Sequence, residues 1–77
     1  MAYPTTVTER ALIQRINRKL AHKWEKLRTS SKRAFNNLGR FHVIDSYRNS
    51  VILTHVKLED LARDIGVMHP LERLEAA

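Results

Sequence analysis

One pattern constrains the fold of this chain more than any other: residues 8–28 contain neither Gly nor Pro, and apolar side chains recur at every third or fourth position. At about 100° per residue, this spacing gathers the apolar side chains on one side of an α-helix. They are Leu12, Ile13, Ile16, Leu20, Trp24 and Leu27. Just before them, Thr6 and Glu9 have the spacing of a capping box, in which Thr6 caps the first turn. We therefore predict a long amphipathic helix that begins after Thr6 and ends near Arg28.

Two segments rich in β-branched and aromatic residues come next, RFHVID at 40–45 and SVILTHV at 50–56. The polar residues SYRN separate them, an arrangement that is typical of an antiparallel β-hairpin. Alternation places Phe41 and Val43 on one face of the hairpin and Ile44 on the other. Both faces of the predicted hairpin therefore carry apolar side chains.

A second, shorter helix is predicted after the hairpin. Its apolar residues recur at helical spacing and precede Gly66, which is in position for a left-handed cap. These apolar residues are Leu58, Leu61, Ala62 and Ile65. Before the hairpin, residues 32–38 are predicted to form a loop with one helical turn, closed by Gly39. The predicted fold is α+β in the order α-β-β-α: a long N-terminal helix, a β-hairpin and a short C-terminal helix, with both helices packed on the hairpin.

The length of 77 residues accommodates one small domain, which buries only about 60% of its unfolded surface. We predict a single domain over residues 1–77, with an ordered core at about 7–67 and tails at 1–6 and 68–77. Trp24 is expected to be the largest buried side chain. The predicted core consists of Ile16, Leu20, Trp24, Phe41, Val43, Leu58, Leu61 and Ile65.

Several features exclude whole classes of protein. The chain has no cysteine, which favours an intracellular location. No apolar run reaches the roughly 18 residues of a membrane span, and the N-terminal MAYPTTVTER lacks the charged start and apolar stretch of a signal peptide. These features predict a soluble, cytoplasmic protein without a membrane partner.

No signature of catalysis is found in the sequence. The motifs H-E-x-x-H and G-x-S-x-G are absent, and so is a Gly-rich phosphate loop. His42 and His55 could share a face of the hairpin, but no third ligand accompanies them, so a zinc site is not expected. We therefore predict a protein that is not an enzyme and that holds neither a metal nor a cofactor.

Charge is distributed unevenly along the chain. Residues 1–40 contain ten Lys or Arg and two acids, a net charge of +8, whereas residues 41–77 contain four Lys or Arg and six acids, a net charge of −2. Such asymmetry predicts one basic side on the folded domain.

The basic residues of the first predicted helix form a pattern of their own. On a helical wheel Arg15, Lys19, His22 and Lys26 form a stripe nearly opposite the apolar side, and only Glu25 dilutes it. Exposed helix faces usually mix both signs of charge. The pattern favours an anion-binding face, and an ordinary solvated face is the alternative. The predicted surface comprises Arg15, Arg18, Lys19, His22, Lys23, Lys26, Arg28, Lys32 and Arg33.

The expected partner of this surface is nucleic acid, bound through its phosphates and without sequence preference. A helix that reads base edges is not expected, because the second helix carries Glu59, Asp60 and Asp64. A stacking platform for single strands is not expected either, since Trp24 is predicted to be buried and Tyr47 stands alone in a turn.

Three stretches of the chain, covering about residues 10–67, carry a family resemblance. They are ALIQRINRKL, NLGRFHVID and HVKLEDLARDIGV. They resemble a group of short, largely uncharacterised proteins encoded on plasmids, integrative elements and phages of proteobacteria. That group has ALI-x-RINRKL in a first helix, G-x-Y-x-V-V-D in a strand and H-V-x-L-E-x-L-x-R-x-x-G-V at the end. The resemblance implies the α-β-β-α fold and a mobile-element setting, but no activity.

The chain departs from the group at two places. Lys57 stands where an Asp would cap the second helix, and a lysine side chain has no acceptor for that purpose. The segment 29–37 also differs, which suits a surface loop.

Two further possibilities concern protein partners. By analogy of size and setting, the alternative function is a small inhibitor or regulator of a host protein complex, as anti-CRISPR proteins are. A homodimer through the hairpin is also predicted, because a two-stranded sheet is marginal alone and one of its two apolar faces would stay uncovered.

Overall fold

The computed structural model describes residues 5–75 of the chain. Its elements are, in order, β1 (Thr5–Val7), α1 (Glu9–Leu20), a 3₁₀ turn (Ala21–Lys23), β2 (Glu25–Thr29), α2 (Phe35–Leu38), β3 (Phe41–Asp45), β4 (Ser50–Leu53), α3 (Leu58–Asp64) and β5 (Glu72–Leu74). The protein is a small α+β domain, as predicted. The order α-β-β-α is too simple, because strands also precede α1, come after α3 and lie between the first two helices.

The first helix is shorter than its sequence pattern indicates. It ends at Leu20, and the chain then tightens into the 3₁₀ turn and reverses at Trp24, whose backbone is left-handed with φ 59° and ψ 36°. The next residues alternate between exposed and buried positions, with Lys26 and Arg28 outside and Leu27 inside. The prediction of helix to Arg28 was therefore wrong: the spacing of Leu20, Trp24 and Leu27 coincides with a turn and then a strand.

A third strand completes the predicted hairpin. β3 and β4 form the antiparallel pair that the sequence predicts, with an irregularity between Val43 and Ile44. β2 pairs antiparallel with the other edge of β3, so that the sheet order is β2-β3-β4. Because two strands alone are marginal, the addition of β2 supplies pairing that a hairpin would otherwise lack.

The core lies between one face of this sheet and the two longer helices. α1 contacts both β2 and α3, and the carbonyl oxygen of the Asn17 side chain accepts a hydrogen bond of 2.8 Å from the Leu27 amide, which ties α1 to β2. The buried cluster consists of Val7, Leu12, Ile16, Leu20, Leu27, Phe41, Val43, Leu58, Ala62 and Met68. Leu61 and Ile65 pack against it and are partly buried.

Trp24 is the main error in the predicted core. Its side chain is 69% exposed, because the left-handed reversal at Trp24 takes it off the buried side of the helix. Leu12, Ile16 and Val43 are the largest fully buried side chains instead. The core of this domain is therefore aliphatic apart from Phe41.

The C-terminal segment, predicted as a tail, belongs to the packed structure. Met68 is buried, and β5 pairs in parallel with β1, with Thr5 opposite Glu72 and Val7 opposite Leu74. The part of the predicted tails at residues 1–4 and 76–77 lies outside the described residues. Within residues 5–75, no helix is long and apolar enough to cross a membrane.

The two longer helices differ in how their ends are capped. Thr8, not Thr6, is the N-cap of α1, and its hydroxyl oxygen accepts a hydrogen bond of 3.1 Å from the Ala11 amide. Lys57 is the N-cap of α3 and its side chain makes no capping hydrogen bond. Gly66, with φ 78°, lies just after α3 in the left-handed conformation that the sequence predicts.

Candidate anion-binding surface

Ion pairing divides the cations of this domain into two groups. Arg15 pairs with Glu72, Arg40 with Glu9, and Arg63 with Glu59, at 2.8–2.9 Å between nitrogen and oxygen. Within residues 5–75, no acidic side chain pairs with the seven Lys and Arg from position 18 to position 33. These seven, which we call the unpaired cations, are Arg18, Lys19, Lys23, Lys26, Arg28, Lys32 and Arg33. Four further cations of the described residues, Arg10, Arg48, Lys57 and Arg73, form no ion pair either, but they are scattered along the rest of the chain.

Part of the predicted basic stripe is assembled on α1. Arg15, Arg18, Lys19 and His22 line one groove of about 260 Å³ together with Val67. Their spacing on the helix and its 3₁₀ extension brings them to the same side, as the helical wheel predicts. We call this site the helix groove.

Within residues 5–75, Arg15 is the one residue of the predicted anion-binding surface that forms an ion pair. Its Nη1 donates to Oε1 and Oε2 of Glu72 at 2.9 and 3.0 Å. Glu72 Oε1 also accepts a hydrogen bond of 2.8 Å from the His69 amide, and this bond, followed by the Arg15 guanidinium, lowers the pKa of the Glu72 carboxyl. The C-terminal segment thus neutralises one end of the helix groove.

Lys26 and Arg28 lie on a different surface from the helix groove. In the register of β2 and β3, Lys26 is opposite Ile44 and Arg28 is opposite His42, and directly opposite residues share a sheet face. Since Leu27 points into the core, this is the face away from the helices. The predicted continuous stripe from Arg15 to Lys26 is therefore wrong at Lys26. We call this second site the outer sheet face, formed by Lys26, Arg28, His42, Ile44 and Val51.

The central strand keeps this outer face ordered. Ile44 is buried although it does not belong to the core cluster. The buried His42 ring shares a 2.8 Å hydrogen bond between its Nδ1 and the Ser30 hydroxyl. His55 is exposed and does not join His42, and residues 5–75 contain no group of three His, Cys, Asp or Glu side chains that could hold a metal. The outer sheet face thus places Lys26 and Arg28 beside β-branched apolar side chains, of which Ile44 is buried and Val51 exposed.

Lys32 and Arg33 extend the basic region past β2. Both are exposed in the turn before α2, where the Ala34 amide donates to the Ser31 carbonyl and hydroxyl oxygens at 3.1 and 3.3 Å. They come only a few residues after Arg28 in the chain, at the end of β2 opposite from Trp24. Five of the unpaired cations therefore lie on the outer face of β2 or close to its ends in the chain, and the other two, Arg18 and Lys19, lie in the helix groove.

Two exposed aromatic side chains flank the end of the sheet where β2 begins; Tyr47 was predicted in a turn, whereas Trp24 was predicted to be buried. Trp24 is 69% exposed and Tyr47, in the turn between β3 and β4, is 82% exposed. The Trp24 carbonyl oxygen accepts hydrogen bonds of 2.8 Å from both the amide and the hydroxyl of Ser46, the residue before Tyr47. We call Trp24, Ser46 and Tyr47 the aromatic corner. The one apolar residue of EKLRT, Leu27 between Lys26 and Arg28, was the signal that could have indicated a strand here and so an exposed Trp24.

Comparison of this chain with protein-family models, with curated proteins and with solved structures found no match. The resemblance to the short mobile-element proteins is therefore still a prediction from the quoted sequence stretches.

Proposed function

We propose that this chain is a non-catalytic module that binds nucleic acid without sequence preference, through its unpaired cations. The observation that carries the proposal is the concentration of cations without an acidic partner: among residues 5–75, seven of the eleven such cations lie between positions 18 and 33. A polyanion would supply the missing negative charges. We also propose that the chain is encoded on a mobile genetic element, and this part of the proposal rests on the sequence resemblance alone.

The chemistry of this surface fits phosphates better than base edges. Lysine and arginine side chains neutralise phosphates and release counterions, which gives affinity without sequence information. The longest helices are poorly suited to a DNA groove, because α3 carries Glu59, Asp60 and Asp64 on its surface and α1 is packed against β2 and α3. We therefore expect binding that depends steeply on salt and little on base sequence.

Paired charge reversals test this function and locate it. Two double variants are compared. One carries Arg18→Glu and Lys19→Glu in the helix groove, and the other carries Lys26→Glu and Arg28→Glu on the outer sheet face. All four side chains are exposed, so the fold should be retained. Binding of labelled single-stranded and duplex oligonucleotides is measured at low and moderate salt by fluorescence anisotropy. The wild type should bind, with a slope of log affinity against log salt of about −3 if about four phosphates are neutralised.

The matched control is the double variant Arg10→Glu with Arg73→Glu. Both residues are exposed and also form no ion pair within residues 5–75, but they lie outside the segment 18–33. The net charge changes by the same amount as in the other two variants. We expect the control to lose less affinity than the outer-sheet variant. If the wild type binds neither oligonucleotide at low salt, or if all three variants lose affinity equally, the proposed surface is wrong.

A second candidate function is the binding of a host protein complex by a small inhibitor or regulator, and β4 is the observation that favours it. This edge strand pairs only with β3 among the described residues, and Val51, Ile52 and Leu53 are each nearly half exposed. Exposed apolar edge strands favour pairing with another chain. The homodimer through the hairpin stays a prediction, although β2 weakens one of its reasons, since the sheet has three strands and not two. Capture of partners from host lysate with and without nuclease separates the two functions, since partners held through nucleic acid are lost on digestion.

A further inference from the structure

We infer that the aromatic corner is a stacking platform for the bases of single-stranded nucleic acid, with Trp24 as its main contact. The inference rests on the proposed nucleic-acid binding and adds a preference for single strands over duplexes. It depends on the placement of Trp24, Ser46 and Tyr47 at the end of the sheet where β2 begins and β3 ends.

The conformation of Trp24 is the first argument. A bulky non-glycine residue in the left-handed region is strained, and here its φ is 59°. An indole that is 69% exposed also gains little from burial in return. Such a combination persists where the surrounding structure enforces it and is found preferentially at functional sites.

The surroundings of Trp24 do enforce its position. Its amide donates to the Ala21 carbonyl at 3.2 Å, and its own carbonyl oxygen accepts from the Ser46 amide and hydroxyl, both at 2.8 Å. The backbone is thus held from two sides while the ring stays in solvent. A ring presented by a fixed backbone loses little freedom when a base stacks on it.

Tyr47 is linked to Trp24 through Ser46, whose amide and hydroxyl donate to the Trp24 carbonyl oxygen. It comes directly after Ser46, and its amide donates to Oδ1 of Asp45 at 2.9 Å, which also accepts from the Arg48 amide at 3.1 Å. The turn is therefore ordered although the Tyr47 ring is 82% exposed. Two aromatic rings at one corner can contact successive bases of an unpaired strand.

The charges around the corner suit a strand of phosphates. Lys23, Lys26 and Arg48 flank the two rings in sequence, and none of them pairs with an acid among residues 5–75. The nearby acids are Glu25 and Asp45, which are opposite each other in the β2–β3 register and only partly exposed. A groove of about 370 Å³ adjoins Trp24 and is lined by Ala21, Lys26 and Ser46, among others.

Single strands fit this corner better than duplexes do. The faces of bases are covered by neighbouring base pairs in a duplex, whereas an unpaired strand exposes them for stacking on aromatic side chains. Stacking also tolerates every base, in agreement with the lack of a base-reading element on this surface.

The test uses the full chain and two labelled probes, an oligothymidylate of about 16 nucleotides and a duplex of the same length. Trp24→Ala should weaken binding of the oligothymidylate by roughly 5- to 100-fold, the range that loss of one stacked base implies, and should change duplex binding much less. Trp24→Phe should restore most of the single-strand affinity. Since Trp24 is the sole tryptophan of the chain, its emission should be quenched by unlabelled oligothymidylate and not by the duplex.

Phe35→Ala is the matched control. Phe35 is also an exposed aromatic residue, but it lies on α2, which follows the other end of β2. Its removal should leave both affinities unchanged. Trp24→Asn is a second variant, because asparagine tolerates the left-handed backbone; it should fold and bind as weakly as Trp24→Ala.

Each outcome separates the inference from the proposed function. If both probes bind equally and Trp24→Ala changes neither affinity, the platform is overturned while nucleic-acid binding stands. Binding of neither probe overturns both. If Trp24→Ala abolishes a nuclease-resistant protein complex and leaves oligothymidylate binding intact, the aromatic corner belongs to a protein interface and the inference is wrong.

Discussion

Two segments of this chain have the same helical spacing of apolar residues and fold differently. Leu20, Trp24 and Leu27 recur at intervals of four and three residues, and Leu58, Leu61 and Ile65 recur at intervals of three and four. The second set forms α3, whereas the first spans the end of α1, a left-handed reversal and the middle of β2. Spacing therefore predicts a helix only where other signals agree with it.

The two segments differ in the residues that end the helix. α3 ends just before Gly66, whose φ of 78° suits glycine, and the sequence marks this stop. The reversal at Trp24 has no such mark, because tryptophan is an unusual residue for a left-handed position. Pairing with β3 compensates for it, since β2 contributes Leu27 to the core and hydrogen bonds to the sheet. The conformation of the first segment is thus determined by pairing with a distant strand, and that of the second by its own residues.

Leu27→Ala and Trp24→Ala test this comparison most severely. Leu27 is buried in the core cluster, so its replacement should lower the free energy of unfolding by about 2–5 kcal/mol. Trp24 is exposed, so its replacement should change that free energy by about 0.5 kcal/mol or less. Chemical denaturation followed by circular dichroism measures both.

A larger loss of stability from Trp24→Ala than from Leu27→Ala would instead support the long helix predicted from the sequence. If Trp24→Ala cost about 3–5 kcal/mol, as a fully buried tryptophan would, residues 21–28 would have to continue α1 and the aromatic corner would not exist. The emission of Trp24 gives an independent check, because an exposed indole should emit at long wavelength and be accessible to soluble quenchers.

Elements that are determined by their own residues were predicted from the sequence, and elements that are determined by pairing with a distant strand were not. Local signals found α3 with its Gly66 cap, the β3–β4 hairpin and the α2 turn before Gly39. β1 and β5 were missed because each has only three residues, and β2 was missed because its one apolar residue, Leu27, continues the helical spacing of α1. Pairing with residues distant in the chain defines all three strands. The candidate surface was predicted in part: Arg15, Arg18, Lys19 and His22 do share a groove. Lys26 and the exposure of Trp24 could not be placed correctly without knowing where α1 ends.

Lys57→Asp sharpens the comparison from the side of α3. Lys57 is an N-cap with no capping hydrogen bond, and aspartate would offer an acceptor to the first-turn amides and a favourable charge at the helix N-terminus. We expect the free energy of unfolding to rise by about 1 kcal/mol, equivalent to about 4–8 °C in melting temperature for a domain of this size. Thermal melts followed by circular dichroism measure the shift.

Lys57→Ala is the control for this change, because it removes the positive charge without adding an acceptor. It should recover only a small part of the gain. Equal stabilisation by alanine and aspartate would mean that the lysine charge, and not the absent cap, limits α3.

Glu72→Gln is expected to have the smallest effect on the free energy of unfolding. It is informative because Glu72 pairs with Arg15, a residue of the helix groove. The His69 amide and then Arg15 lower the pKa of the Glu72 carboxyl from its ordinary value of 4.5. A lowered folded-state pKa contributes stability that is present above the ordinary value and is lost as pH falls through the folded-state value. The stability difference between wild type and Glu72→Gln should therefore be present near neutral pH and shrink below about pH 4.5, as melts across this range would reveal.

The same substitution should also strengthen anion binding. Without the Glu72 carboxylate, Arg15 becomes available in the helix groove beside Arg18 and Lys19. We expect a modest gain in oligonucleotide affinity at low salt and a salt slope steeper by nearly one unit, since one more phosphate can be neutralised. Glu75→Gln is the control, because it changes the net charge equally and Glu75 forms no ion pair within residues 5–75. If both variants gain affinity equally, only net charge matters. If Glu72→Gln alone gains, Arg15 belongs to the binding surface and the C-terminal segment holds it back.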